Sequence, residues 1–263
     1  MPLIQDICDF LDDFAPTSLA EEWDNVGLLA GDFQSTAQRL MTCLTVTPDS
    51  AQEAIERECD LIITHHPLPF QPIKKITTGQ TTTKMLWELI RAGVAIYSPH
   101  TAFDSAASGI NQRLANMAGV TDSQPIVPAE NHVSQLGAGR IGRLAQPVQV
   151  SELIETIRKP LAASSIGLVG QLERPVQRIA FACGSGGTFL SPARELGCEA
   201  LVTGEASFHT CLEAEATGVQ LILVGHYASE RFALEHLAGE LERKFPDTEV
   251  WASQRESEPI KRV

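Results

Sequence analysis

Short apolar runs alternate with stretches of helical period along most of the chain. Asp60-Leu-Ile-Ile-Thr64 and Glu199-Ala-Leu-Val-Thr203 are mostly apolar and too short for helices. Such runs suit strands buried on both faces of an α/β sheet. Gly93-Val-Ala-Ile-Tyr and Val219–Val224 read the same way, each after a helical stretch. Ser151–Lys159 is predicted as a helix, with Ser151 as N-cap, Glu152 in the first turn and Pro160 as the stop. Between Val120 and Pro175 the pattern is less regular. Thr121–Glu130 reads as a loop or edge strand, and Leu136-Gly-Ala-Gly-Arg-Ile-Gly-Arg-Leu is glycine-rich.

The pattern occurs twice. Sliding Arg39–Phe70 onto Arg178–His209 at a constant offset lays Arg39 on Arg178, Ala54 on Ala193, Glu56 on Glu195, Cys59 on Cys198 and Thr64 on Thr203. After a deletion and a one-residue slip, His100-Thr-Ala-Phe-Asp104 falls on His226-Tyr-Ala-Ser-Glu230, both His-x-Ala-x-acid. Two β-α-β-α-β-α copies imply an α/β protein with pseudo-twofold symmetry, its mixed sheets flanked by helices. The first repeat is placed at residues 1–124 and the second at 125–263. Alternating strands and helices can also match by chance, so the duplication is an expectation for the structure to test. Ligands in such folds gather beyond the C-terminal ends of the strands.

Composition narrows the classes of function. The 263 residues, 43% hydrophobic and 20% charged, are ordinary for a folded soluble domain or two. Twenty basic against 33 acidic residues give a net charge of −13, which opposes general binding to nucleic acid or to a membrane surface. No apolar run approaches the length of a bilayer span, and the acidic, amphipathic start is no signal peptide. A cytosolic protein is expected. The six cysteines form no CxxC pair, so Cys43, Cys59, Cys183 and Cys198, in or beside apolar segments, read as buried reduced thiols.

Four of the seven histidines fall at three strand ends: His65 and His66, His100 with Asp104, and His226 with Glu230. Taken singly, each has an ordinary reading, as hydrogen-bonded loop histidines or an exposed helical pair. Taken together at the converging strand ends of a duplicated sheet, they suit two ions about 3.5–4 Å apart with a shared carboxylate. Imidazole mixed with carboxylate suits Zn, Fe, Mn or Ni rather than Ca or Mg alone. Cys183-Gly-Ser-Gly-Gly-Thr188 reads either as an anion-binding turn or as a plain strand-to-helix turn. Glu205, aligned with His66 by the repeat, and His209 read as candidate proton carriers or ligand-orienting groups, with a plain surface role equally open. His132 and His236 read as surface or packing residues.

Several segments together resemble the GTP cyclohydrolase I type 2 homologue family, also called NIF-three-like, in its short bacterial form. They are Trp23-Asp-Asn-Val-Gly-Leu-Leu-Ala-Gly31, Thr64-His-His-Pro67, Ser98–Asp104, Gly137–Gly142, Gly184–Gly187, Thr203-Gly-Glu205 and Gly225–Glu230. The resemblance runs nearly the whole chain in order. It implies two interlocked α/β domains and a toroidal homohexamer with sites facing an internal cavity. It also implies two divalent metal ions bound by His65, His66, Asp104, His226 and Glu230, with Glu230 bridging and His100 beyond the ligands. The leading expectation is a metal-dependent hydrolase of a nucleotide or related heterocycle. Glu205 or His209 would shuttle protons, and Gly184–Gly187 or Arg140 would sit near phosphates. The alternative is a metal-binding interaction or regulatory protein without catalysis.

Overall fold

The protein is described by a computed structural model over residues 1–129 and 136–261. The chain runs α1 (Ile4–Phe14), β1 (Gly27–Ala30), β2 (Arg39–Thr45), α2 (Pro48–Glu56), β3 (Leu61–His66), α3 (Thr81–Arg91), β4 (Ala95–Ser98), α4 (His100–Ser105) and α5 (Ile110–Met117). It continues through β5 (Thr121–Gln124), β6 (Val127–Pro128), β7 (Gly137–Ala138), β8 (Arg140–Gln149), α6 (Val150–Arg158), β9 (Gly167–Val169) and β10 (Pro175–Ala182). It ends with α7 (Leu190–Glu195), β11 (Ala200–Thr203), α8 (Phe208–Thr217), β12 (Gln220–Leu223), α9 (His226–Lys244) and β13 (Glu249–Ala252).

Two compact units result. One comprises Met1–Phe103 with Ala233–Ser257, the other Asp104–Phe232 with the segment from Glu258. The repeat boundary near residue 124 therefore differs from the boundaries of the compact units. The chain leaves the first unit within α4 and returns within α9.

In the first unit the sheet order is β1-β4-β3-β2-β13. Strands β4, β3, β2 and β13 are parallel, and β1 closes the edge antiparallel to β4. Met41, Cys43, Ile62 and Ile96 from the strands pack with Ala54, Leu86 and Leu89 from α2 and α3. Helix α2 starts where Thr47 Oγ1 accepts from the Ser50 amide, with Pro48 at the first helical position. The C-terminal strand is tied down by buried Glu53. Its carboxylate accepts from Trp251 Nε1, Ser253 Oγ and the amides of Gln254 and Arg255. Burial pushes the Glu53 pKa up, but these donors outweigh it and hold the carboxyl below its ordinary range.

In the second unit the order is β5-β8-β10-β11-β12-β9, with β10, β11 and β12 parallel and β5, β8 and β9 antiparallel to their neighbours. Its core joins Ile141, Ala180, Leu201 and Leu221 to Leu190, Ala193 and Ala214.

The duplication is present in the strand register. Leu40 pairs with Leu61, and their repeat-mates Ile179 and Ala200 pair in turn. Leu61 then meets Ala95, as Ala200 meets Gln220. In both units an antiparallel strand flanks the last parallel one. The copies differ on the other side, where β13 is parallel to β2 but β8 is antiparallel to β10.

Two local expectations are corrected. Helix α6 begins at Val150 after Gln149, not at a Ser151 cap. The amides of Val150 and Ser151 donate to Arg174 O and Leu172 O, so the adjoining turn satisfies the helix start without a side-chain cap. Strand β3 also runs through His65 and His66 rather than ending at Thr64. Thr121–Gln124 is an edge strand, as its composition suggested. His236 is exposed on α9, and His132 lies outside the described residues. Among the described residues, no helix is long and apolar enough to cross a membrane.

Candidate metal centre

In each unit the chemistry-bearing residues follow the C-terminal ends of the parallel strands. In the first unit these ends are Thr45 on β2, His65 and His66 on β3, and His100 just beyond β4. Neighbouring strand residues ordinarily face apart, yet the His65 and His66 rings lie 5.0 Å apart at 53°. The His100 ring is 5.1 Å from His65 and 5.6 Å from His66. The three histidines offer donor atoms within 4.8 Å of one another. His65 is fully buried, while His66 and His100 are half-buried.

The outer faces of two of these rings are engaged. His66 Nδ1 lies 2.6 Å from Thr45 Oγ1, its register partner across β2. His100 Nδ1 lies 2.7 Å from Asp24 Oδ1, and Asp24 Oδ2 accepts from the Thr101 amide and hydroxyl. Burial raises the Asp24 pKa, but the bonds from His100 and Thr101 outweigh that and hold it at about 2. An ionised Asp24 keeps the proton of His100 on Nδ1. His100 adopts φ +23, in the region that non-glycine residues rarely enter. The Asp24 contacts hold this strained start of α4.

The second unit gathers Asp104, Cys183, Glu205, His226 and Glu230 in the same way. His226 opens α9, so Glu230 lies one turn on, with His226 Nε2 to Glu230 Oε2 at 3.1 Å. His226 Nδ1 lies 3.0 Å from Glu205 Oε1, which also accepts from Ser185 Oγ at 2.7 Å. The hydrogen bond to Glu230, followed by its charge and the Glu205 contacts, raises the His226 pKa to about 9 against the opposing effect of burial. Cys183 Sγ lies 3.0 Å from Asp104 Oδ1. Burial first, then the charges of Asp104 and Glu230, push the Cys183 thiol well above its ordinary value.

Backbone geometry makes this packing feasible. Gly184 has φ +57, and a Cβ there would overlap Glu230 Oε1 and come within 3.3 Å of His226 Nε2. A Cβ on Gly204 would meet Gly184 O at 2.6 Å and Ser229 Oγ at 2.7 Å. The two glycines let the turns after β10 and β11 close on the start of α9. Asn111 joins two further pieces: its Nδ2 donates to Asp104 O at 3.2 Å, and its Oδ1 accepts from the Cys183 amide at 2.7 Å.

These donors fit a divalent metal. The first unit presents three clustered imidazoles. The second turns two carboxylates onto one imidazole, which then prefers to carry positive charge. Carboxylate-bound imidazoles are also the usual outer arrangement around metal-ligating histidines.

Other candidates are placed differently. His209, at the start of α8, is exposed and lies edge-on to Phe208 with ring centres 6.1 Å apart. Arg140 is fully buried, which corrects the phosphate role expected for it. Its guanidinium donates to the carbonyls of Gly137, Gly139, Ser105 and Ala106 and to Gln112 Oε1. In the Gly184–Gly187 turn, Ser185 is bonded to Glu205, whose negative charge opposes an anion there. Sequence reasoning assigned no individual role to Asp24, Thr45 or Asn111. Asp24 lay within a motif already noted, whereas the other two carry no motif.

A model of the family described as Duf34/NIF3 (NGG1p interacting factor 3) matches residues 2–259. A "GTP cyclohydrolase 1 type 2 homolog" from Clostridium acetobutylicum is 32% identical over 262 residues, covering 98% of each chain. A protein of the same description from a Nostoc species is 36% identical over 205 residues, 77% of each chain. Among solved structures, the Staphylococcus aureus hypothetical protein SA1388 superposes with a TM-score of 0.90 at 26% identity, over 99% of each chain.

Proposed function

The chain belongs to the Duf34/NIF3 family, and from that premise we propose that it is a dinuclear metal-dependent hydrolase of a nucleotide or related heterocycle. The ligands in this reading are His65, His66, Asp104, His226 and Glu230, with Glu230 shared by two ions of the Zn, Fe, Mn or Ni type. Its main support is that each unit gathers metal-type donors at its parallel strand ends, three imidazoles in one and an Asp, a Glu and a His in the other. The chain's own course adds to this. It enters the second unit at Asp104, on the same helix that His100 begins.

Bound divalent ions supply Lewis acidity and a water acidic enough to ionise near neutral pH. The surrounding side chains orient and carry protons. Glu205 holds the proton of His226 on Nδ1, which leaves Nε2 as the ligand atom. Asp24 engages Nδ1 of His100 in the same manner, and Thr45 Oγ1 lies within hydrogen-bond distance of Nδ1 of His66. Glu205 is the group suited to proton transfer, because it joins the donors through its hydrogen bond to His226. No separate catalytic step is assigned to His209.

The test is alanine at His66 or at Glu230. Metal content and metal-dependent turnover across a panel of nucleotides and heterocycles should fall together. Turnover that survives loss of the metal would remove this reading. The family's description as an interacting factor supports a second reading, a metal-binding interaction protein. Metal-replete protein that turns over no member of the panel would favour it.

A further inference from the structure

One feature of the first unit lies outside the metal donors: two large aromatic rings are exposed beside the histidines. Trp23 is 60% and Phe70 44% solvent-exposed. Their ring centres are 6.0 Å apart, and each lies 6.0–6.1 Å from His100, which meets both edge-on. Exposed large apolar side chains in contact with one another are more informative than scattered ones.

Both rings are held in place. Asn25 Nδ2 donates to Pro69 O at 2.7 Å, tying the loop of Trp23 to that of Phe70. Asp24, next to Trp23 in the chain and with its side chain buried, is fastened to His100 and Thr101. The aromatic corner thus shares its scaffold with His100.

Beyond Phe70 opens a cavity of about 540 Å³ lined by Pro69–Lys75 and by residues at the start of α3. Its cations are Lys74 and Lys75, both exposed, and no ion pair to either is found among the described residues. The surrounding segment Leu61–Trp87 contains no Asp or Glu, in a chain with 33 of them. A locally cationic cavity in an acidic protein favours a phosphorylated ligand.

We infer that Trp23 and Phe70 stack the planar ring of a phosphorylated heterocycle and that Lys74 and Lys75 receive its phosphate, with Phe70 as the wall common to both. The inference rests on the proposed function and specifies where its substrate binds. It replaces Arg140 and the Gly184–Gly187 turn as the phosphate contacts.

The test is calorimetric titration of the as-purified, full-length protein with guanosine monophosphate, guanosine and ribose 5-phosphate. Guanosine monophosphate should bind most tightly. Trp23→Ala should weaken guanosine monophosphate and guanosine by roughly 5- to 100-fold, the usual range for removing a base-stacking ring, and leave ribose 5-phosphate unchanged. Trp23→Phe should restore most of the loss. Lys74→Ala with Lys75→Ala should weaken both phosphorylated ligands and spare guanosine. Guanosine monophosphate that fails to bind at millimolar concentration, or binds Trp23→Ala as tightly as the unaltered protein, overturns the inference. Metal content read on the same samples separates the two ideas. Normal metal and turnover with unaltered nucleotide affinity in the variants defeats the subsite alone. Unaltered protein that is metal-free and takes up no added divalent ion defeats the hydrolase reading, while the stacking comparison still decides the subsite.

Discussion

Gly184→Ala tests whether the second unit is shaped around its carboxylates. The substitution adds one methyl group and no charge. Alanine must hold φ +57, which costs an L-residue about 1–2 kcal/mol. Its Cβ also overlaps Glu230 Oε1, and Glu230 is only 3% exposed. Restoring ordinary contact requires the carboxylate to retreat by about 1 Å. A metal site tolerates ligand displacements of only about 0.2 Å. The expected result is a fall in Tm of roughly 2–8 °C for a chain of this size and a loss of metal affinity of about 10- to 100-fold. Gly197→Ala is the matched control. Its φ of +74 carries the same backbone strain, but no atom lies within 4 Å of the new Cβ. It should lose similar stability and keep its metal. Thermal unfolding and competition with a chromogenic chelator measure the two effects. Equal metal affinity in the two variants would refute the reasoning.

Asn111→Ala leaves the buried Cys183 amide without its acceptor, so unfolding in denaturant should show a loss of about 1–3 kcal/mol. Glu53 has a folded pKa below its unfolded value of about 4.3, so its contribution is present above that pH and is lost as pH falls through the folded value. The stability gap between the unaltered protein and Glu53→Gln, followed by urea unfolding, should be widest near neutrality and close in acid. A gap that widens below pH 4 would contradict this. Removal of metal by dialysis against a chelator should lower Tm, and returning a divalent ion should restore it. Light scattering should give six copies of the 28.5 kDa chain if the assembly is the toroidal homohexamer that the family resemblance implies.

The duplication and the strand ends were legible because both rest on local patterning. Apolar runs of four or five residues mark buried strands, and a constant offset aligns Leu40 and Leu61 with Ile179 and Ala200, which pair alike in the structure. Histidines following those runs had to reach the C-terminal sheet edges. What supports them came from far away and was not legible. Asp24 meets His100 from 76 residues upstream, and Asn111 meets Cys183 from 72. Neither partner follows from periodicity. Arg140 misled because an arginine among glycines looks ready for phosphate, whereas the glycines there free carbonyls that take up its donors. Ser151 misled because a backbone turn from a distant strand satisfied the helix start.

The central claim is that five donors from three separate stretches of chain bind a pair of metal ions. Metal analysis of the purified protein beside His66→Ala and Glu230→Ala tests it most directly. Two equivalents of a first-row divalent metal per chain, falling in both variants while the fold persists, is the result expected. Metal-free protein that takes up no added ion, or variants that retain both equivalents, would contradict it.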